Sequence, residues 1–173
     1  MIVQRLIAGN LRCRGIMVSA VLLMLAFTVA CSQPEAETKL AEMQAQQAQV
    51  EQNKETAVAF LKMILNDHKV AEAFDLYSVP DYIQHNPMAK TGAQAAIDFF
   101  TPFFDQFPEA QIDVKRVIAE GDLVAIHNNS KMNATDRGRA VVDIFRLENG
   151  KVVEHWDVVQ EVPETSANEN TMF

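Results

Sequence analysis

The C-terminal half of the chain changes to a two-residue alternation of apolar and polar side chains, and this change of period constrains the fold most. Four strand-like runs follow one another at residues 110–120, 122–132, 138–148 and 151–162. Glycine-containing turn signals separate them, the last being Asn149-Gly150. Consecutive strands joined by such short turns predict an antiparallel meander.

The preceding segment keeps a helical spacing instead. ETAVAFLKMILND (55–67) predicts an amphipathic helix, KVAEAFDLY (69–77) a second short one, and GAQAAIDFFTPFFDQF (92–107) a third. Between the last two, DYIQHNP (81–87) is predicted as a short extended segment that ends at a proline. Helices followed by a meander predict one α+β domain, and about 120 residues are enough to bury a core with a pocket in it.

The first 30 residues have the organisation of an export signal. Three arginines precede residues 16–30, an uncharged run that is short for a membrane span. TVAC (28–31) resembles the lipobox of bacterial lipoproteins, in which the cysteine, here Cys31, is lipidated and becomes the new N-terminus. Ordinary cleavage after Ala30 is the alternative, because Thr28 stands where the lipobox prefers leucine.

The lipobox resemblance implies a lipid membrane as a partner, bound through Cys31. Ser32 after the cysteine implies, by resemblance to the bacterial sorting rule, the outer membrane facing the periplasm; secretion into the periplasm is the alternative. After the cysteine, residues up to 53 are rich in Gln, Ala and Glu and predict a polar tether. The folded domain is predicted at 54–162, and residues 163–173 are predicted to be a disordered tail.

The charge balance argues against one class of partner. Removing the three arginines of the signal from 15 basic residues leaves 12 against 23 acidic ones, a net charge of −11. An acidic domain without a basic stripe does not favour binding to nucleic acid.

Three stretches, taken in order, resemble a known family. They are YIQHNP (82–87) followed by Gly92, EGDLVAIH (120–127) and DIFRLENGKVVEHWDV (143–158). The set is similar to the nuclear transport factor 2-like fold and, within it, to the SnoaL-like polyketide cyclases. The resemblance covers residues 55–162 and implies a cone, in which three helices cover a curved, mostly antiparallel sheet around an apolar cavity. Proteins of this fold include isomerases, cyclases, hydrolases and members that catalyse nothing.

Asp143 is the leading candidate for a catalytic residue. Arg146 and Glu148 favour an outward orientation for one alternating set of its strand, which turns Asp143 and Phe145 inward. The family carries a cavity acid at the position of Asp143, so the resemblance implies the same orientation.

The turn that follows decides which residue lies opposite Asp143. A two-residue type I′ loop at Asn149-Gly150 places Trp156 there, whereas a three-residue loop places His155 there. The resemblance implies the second arrangement, with His155 and Asp157 in the cavity and Trp156 outside, at a dimer contact.

The resemblance also implies roles for residues on other strands. His127 and His155 are expected to act with Asp143 in catalysis. The expected ligand-binding residues are Tyr82, His85, Asn86, Phe145 and Asp157. Two known mechanisms are disfavoured: Asn86 replaces the general-base carboxylate of ketosteroid isomerases, and Val141 replaces the arginine of the limonene epoxide hydrolase triad.

One acid with nearby histidines predicts general acid/base isomerase, aldol cyclase or lyase activity on a small carbonyl compound. The alternative is a non-catalytic envelope lipoprotein that binds a small apolar ligand or acts as a scaffold, in which Asp143 and His155 only form a buried pair. A homodimer is expected. No cofactor and no metal site are predicted, since no His/Asp/Glu spacing matches one.

Overall fold

The computed structural model describes the backbone of residues 15–173 and the side chains of residues 35–173. The signal arginines and the lipidation site at Cys31 therefore lie outside the residues whose side chains are described. Within the described part of the chain, no helix combines the length and the apolarity needed to cross a bilayer.

The first helix, α1, spans Gly15–Leu65, and the chain divides into two compact units, one that ends at residue 45 and one that spans residues 46–173. In the first unit, the side chains described, those of residues 35–45, are all exposed. In the second unit the first buried side chain is that of Asn53, whose Nδ2 donates to the carbonyl of Gly121. The predicted boundary at residue 54 and the predicted disorder of residues 163–173 stay predictions.

The second unit contains two further helices and five strands. The helices are α2 (Val70–Tyr77) and α3 (Ala93–Gln106). The strands are β1 (Ser78–Gln84), β2 (Gln111–Glu120), β3 (Leu123–Lys131), β4 (Arg139–Glu148) and β5 (Lys151–Glu161). They form one sheet in the order β1-β5-β4-β3-β2, in which β1 runs parallel to β5 and all other pairs are antiparallel. The predicted α+β class and the four-strand meander are confirmed.

The core lies between the helices and one face of the sheet. Phe60 of α1 is 1% exposed, and its ring makes edge contacts with Phe74 of α2 at 5.0 Å and with Phe145 of β4 at 5.8 Å. On β3, Val124 and Ile126 are fully buried beneath the same layer. Each buried aromatic or branched side chain stabilises the fold by about 1.5–3 kcal/mol, so this layer fixes which face of each strand points inward.

The β4–β5 hairpin corrects both predicted alternatives for the residue opposite Asp143. Asn149 and Gly150 have φ values of 51° and 76°, as a two-residue type I′ turn requires. Beyond the turn the pairing shifts by one residue, because β5 carries an additional residue, Val153, that has no partner on β4. Asp143 therefore pairs with Asp157, and neither Trp156 nor His155 lies directly opposite it.

Candidate active site

The helices and the inner face of the sheet enclose a cavity of about 250 Å³. Phenylalanine side chains from all three helices line one side of it. Polar side chains from β1, β3, β4 and β5 meet at the opposite wall, the sheet. A small apolar molecule with one polar group is the kind of ligand that such a lining fits.

Strands β4 and β5 place the central pair of this wall. Asp143 and His155 are 6% and 8% exposed, and Asp143 Oδ1 lies 3.0 Å from Nε2 of His155. Phe145, which pairs with His155 across the strands, stacks on the imidazole at 4.8 Å between ring centroids. Asp143 and Phe145 face the cavity as the strand pattern predicts, and His155 faces it as the resemblance implies. The additional residue Val153 makes this possible, because the two-residue turn alone would place His155 on the other face.

Asn128 of β3 completes the surroundings of Asp143. It is fully buried and donates from Nδ2 to Oδ2 of Asp143 at 2.7 Å. Its own Oδ1 has no hydrogen-bond partner among the described residues. Both oxygens of the carboxylate are thus engaged, while a buried acceptor beside them remains available to a ligand.

Strand β1 and the residues directly after it bring two more polar side chains, those of Gln84 and Asn86, to the cavity wall, because β1 pairs with β5 alongside His155. Gln84 Oε1 accepts the backbone N–H of Asn86 at 2.9 Å and lies 3.0 Å from Nδ1 of His155. Asn86 Nδ2 donates to Oδ2 of Asp157 at 2.6 Å. Asn86 and Asp157 therefore line the cavity, as predicted, and they bind each other.

Tyr82, also on β1, is a hydrogen-bond donor at this wall. Burial raises the pKa of its phenol far above the ordinary value, and the negative charges of Asp143 and Asp157 raise it further. Its oxygen accepts weakly from Gln84 Nε2 at 3.4 Å, and no described residue accepts its proton. The phenol therefore stays neutral and can donate to a ligand oxygen.

The prediction that His127 faces the cavity is wrong. Because Val124 and Ile126 are fully buried, the alternation of β3 turns Asn128 inward and His127 to the opposite face. There Nδ1 of His127 lies 2.9 Å from a guanidinium nitrogen of Arg116, and the imidazole stacks near the ring of Phe173.

The alternation of β1, continued one residue past its end, places His85 outside, contrary to the prediction. Its Nε2 lies 2.7 Å from Glu154, and its ring stacks on Trp156 at 4.7 Å. Hydrogen bonds from His85 and then Arg146 hold the pKa of Glu154 below its ordinary value. Trp156 is thus on the outer face, as predicted.

Three side chains of the types that bind metal ions lie close together, although no metal site was predicted. Ligand atoms of Asp143, His155 and Asp157 lie within 4.8 Å of one another, which is close enough to hold an ion. The sequence spacing missed this group because its members come from two paired strands, and their proximity depends on the register of the hairpin.

Residues 57–155 match the family model described as the SnoaL-like domain, which covers more than half of the chain. The chain belongs to the SnoaL-like domain family. No curated protein matches this SnoaL-like chain. The similarity to solved structures lies in the fold, and it confirms the predicted nuclear transport factor 2-like cone.

Three of these solved structures illustrate the likeness to the SnoaL-like chain. A candidate ketosteroid isomerase from Kribbella flavida shares 20% identity with a TM-score of 0.55, over 69% of this chain and 85% of the other. A candidate SnoaL-like polyketide cyclase from Jannaschia sp. CCS1 shares 23% with a TM-score of 0.51, over 63% and 85%. AclR from Streptomyces galilaeus, a candidate hydroxylase, shares 22% with a TM-score of 0.53, over 64% and 90%.

Two cavity residues of this SnoaL-like domain, Gln84 and Asn128, were missed from the sequence. The signal for Asn128 was its position two residues after Ile126 in the more apolar of the two alternating sets of β3. The signal for Gln84 was its spacing of two from Tyr82. A buried amide needs a hydrogen-bond partner just as strictly as a buried histidine does.

Proposed function

We propose that this SnoaL-like protein is an acid–base enzyme, an isomerase, aldol cyclase or lyase, that moves a proton on a small enolisable carbonyl compound. The observation that carries the proposal is the buried Asp143 carboxyl, held by His155 and Asn128 at the sheet wall of an apolar cavity. The neutral Tyr82 phenol at the same wall supplies a donor for a carbonyl oxygen.

The chemistry follows from these groups. The Asp143 carboxylate removes a proton from the carbon next to the carbonyl, and the C–H electrons move towards the carbonyl oxygen. The Tyr82 hydroxyl donates a hydrogen bond to that oxygen and stabilises the enolate. Return of the proton to another carbon gives an isomerase, attack of the enolate on a second carbonyl gives an aldol cyclase, and loss of a β-substituent gives a lyase.

The direct test is exchange of the α-protons of small ketones and β-dicarbonyl compounds in D₂O, followed by proton NMR. The wild-type protein is expected to accelerate exchange over buffer for compounds that fit the cavity, and Asp143→Asn is expected to remove the acceleration. His127→Gln is the matched control, because His127 lies on the other face of the sheet. Equal exchange by the wild type and Asp143→Asn with every accepted compound would refute the mechanism.

A second candidate function is ligand binding without chemistry. It is favoured by one specific observation, that both oxygens of Asp143 already have protein partners. Calorimetric titration with the same ketones separates the two functions: binding without α-proton exchange would favour this second candidate.

The proposal extends to the location of the domain. The signal pattern and Cys31 support export with a lipid anchor in the outer membrane, facing the periplasm. Trp156 and the exposed Val158, on the outer sheet face, support a homodimer contact. Intact-mass spectrometry of the mature protein and of Cys31→Ser tests the lipid, and light scattering tests the dimer. An unmodified mature wild-type protein would refute the anchor, and a monomer would refute the dimer.

A further inference from the structure

Gln84 has only one possible amide orientation. The backbone N–H of Asn86 points at one end of the amide at 2.9 Å, so that end must be the oxygen. The other end lies 3.4 Å from the hydroxyl oxygen of Tyr82, which can accept from the amide nitrogen. Rotating the amide by 180° would set its N–H₂ group against the Asn86 N–H, donor against donor.

This orientation fixes the proton on one nitrogen of His155. Nδ1 of His155 lies 3.0 Å from Gln84 Oε1, which is an acceptor only, so Nδ1 must carry a proton. In a neutral imidazole the other nitrogen, Nε2, is then an acceptor. Nε2, however, lies 3.0 Å from Oδ1 of Asp143, and a carboxylate oxygen is also an acceptor.

Two acceptors at this distance repel each other unless a proton lies between them. Either His155 is an imidazolium beside a carboxylate, or it is neutral beside a protonated Asp143; both forms contain the same number of protons. The remaining oxygen of Asp143 accepts from Asn128 Nδ2 and does not supply the missing proton. From this geometry we infer that Gln84 is a positioning residue, which makes the Asp143–His155 pair hold one proton between its two facing atoms.

The consequence for chemistry rests on the proposed function. When the pair gives its proton to a carbonyl oxygen, that oxygen gains an O–H bond, and a neutral imidazole and a carboxylate remain with their lone pairs facing each other. The carboxylate then takes a proton from the α-carbon, and the electrons of that C–H bond form the C=C bond of the enol. The pair regains its proton, and the net result is conversion of a ketone to its enol with no other reactant.

Without Gln84 the pair would not need this proton. A neutral His155 could then carry its hydrogen on Nε2 and donate it to the Asp143 carboxylate. Gln84 therefore decides whether the pair starts the reaction with a proton to give.

The test is the protonation state of the histidine rings, read by long-range ¹H–¹⁵N correlation NMR of protein labelled with ¹⁵N-histidine and treated with EDTA. His155→Gln identifies the His155 signals. His127 is an internal control, because Arg116 donates to its Nδ1 and a neutral ring must then carry its hydrogen on Nε2.

In the wild type, His155 is expected to be doubly protonated or protonated on Nδ1 alone. Gln84→Leu is expected to move the hydrogen to Nε2, whereas Gln84→Glu keeps an acceptor opposite Nδ1 and is expected to preserve the wild-type pattern. A wild-type ring protonated on Nε2 alone, or no change in a folded Gln84→Leu variant, would overturn the inference. So would a His155 spectrum that changes on EDTA treatment, since a metal ion rather than a proton would then lie between the two atoms.

The wild-type spectrum needs no substrate and no folded Gln84 variant. The expected ring state without α-proton exchange would refute the proposed function alone, and exchange with a ring protonated on Nε2 alone would refute the role of Gln84 alone.

Discussion

Replacing Asp143 by asparagine and by leucine gives two different predictions for stability. If the Nδ1 proton of His155 faces Gln84, the Nε2 lone pair is free to accept. The side chain introduced by Asp143→Asn would then donate from its N–H₂ group to Nε2 and accept from Asn128 Nδ2 with its oxygen, so both hydrogen bonds of the native side chain are retained. Asp143→Leu retains neither.

The magnitudes follow from burial. Asp143 and His155 are less than a tenth exposed, and Asn128 is fully buried. Leucine at position 143 leaves the Asn128 donor and the His155 acceptor unpaired, at about 1–3 kcal/mol each, so Asp143→Leu is expected to lower the free energy of unfolding by roughly 2–6 kcal/mol. Asp143→Asn is expected to change it by less than about 1 kcal/mol.

Urea unfolding followed by the fluorescence of Trp156, the single tryptophan of the chain, measures both variants. A gap of about 2 kcal/mol corresponds to roughly 8 °C in melting temperature for a unit of this size. If asparagine is as destabilising as leucine, the introduced amide does not donate to Nε2 of His155, and the reasoning is refuted.

Three further predictions concern the remainder of the domain. Gly138→Ala is expected to destabilise it by about 2–4 kcal/mol in urea unfolding, since φ is 85° and a Cβ would lie 2.8 Å from a backbone carbonyl oxygen; Gly121→Ala, with nothing within 4 Å, is the control and should cost about 1 kcal/mol. Hydrogen bonds from the backbone N–H groups of Met132 and Gly138 lower the pKa of Asp136. The ionised carboxylate therefore stabilises the fold at pH values above 3.8, its ordinary pKa, and this stabilisation is lost as the pH falls through the lower pKa of the folded state. Melting curves of wild type and Asp136→Asn should therefore differ at neutral pH and converge in acid; a constant difference would contradict this. Deletion of Val153 removes the residue without a partner and leaves every other β4–β5 pair in register, so Trp156 should stay on the outer face and the emission maximum of the single tryptophan should not change; a shift to shorter wavelength would contradict the assigned bulge.

The fold class could be predicted because its signals are local. Helical spacing, turn residues and alternation each depend on a few neighbouring residues, and Arg146 with Glu148 was enough to turn Asp143 inward. The parallel pairing of β1 with β5 had no such signal, since it joins segments about 70 residues apart.

The errors at the site have physical causes. His127 was placed in the cavity by family resemblance, although the burial of Val124 and Ile126 in the same strand requires the opposite orientation. The residue opposite Asp143 was predicted from the length of the turn alone. A bulge beyond the turn shifts the pairing of the two strands by one residue although the turn itself is unchanged.

The parallel contact between β1 and β5 determines when the site can form. Gln84 and His155 come together only when β5 pairs with β1, a contact between segments far apart in sequence, and such contacts form slowly during folding. A chain that stops after β4 contains Asp143 and Asn128 but lacks the imidazole. The proposed proton transfer therefore depends on the pairing of the first strand of the sheet with the last.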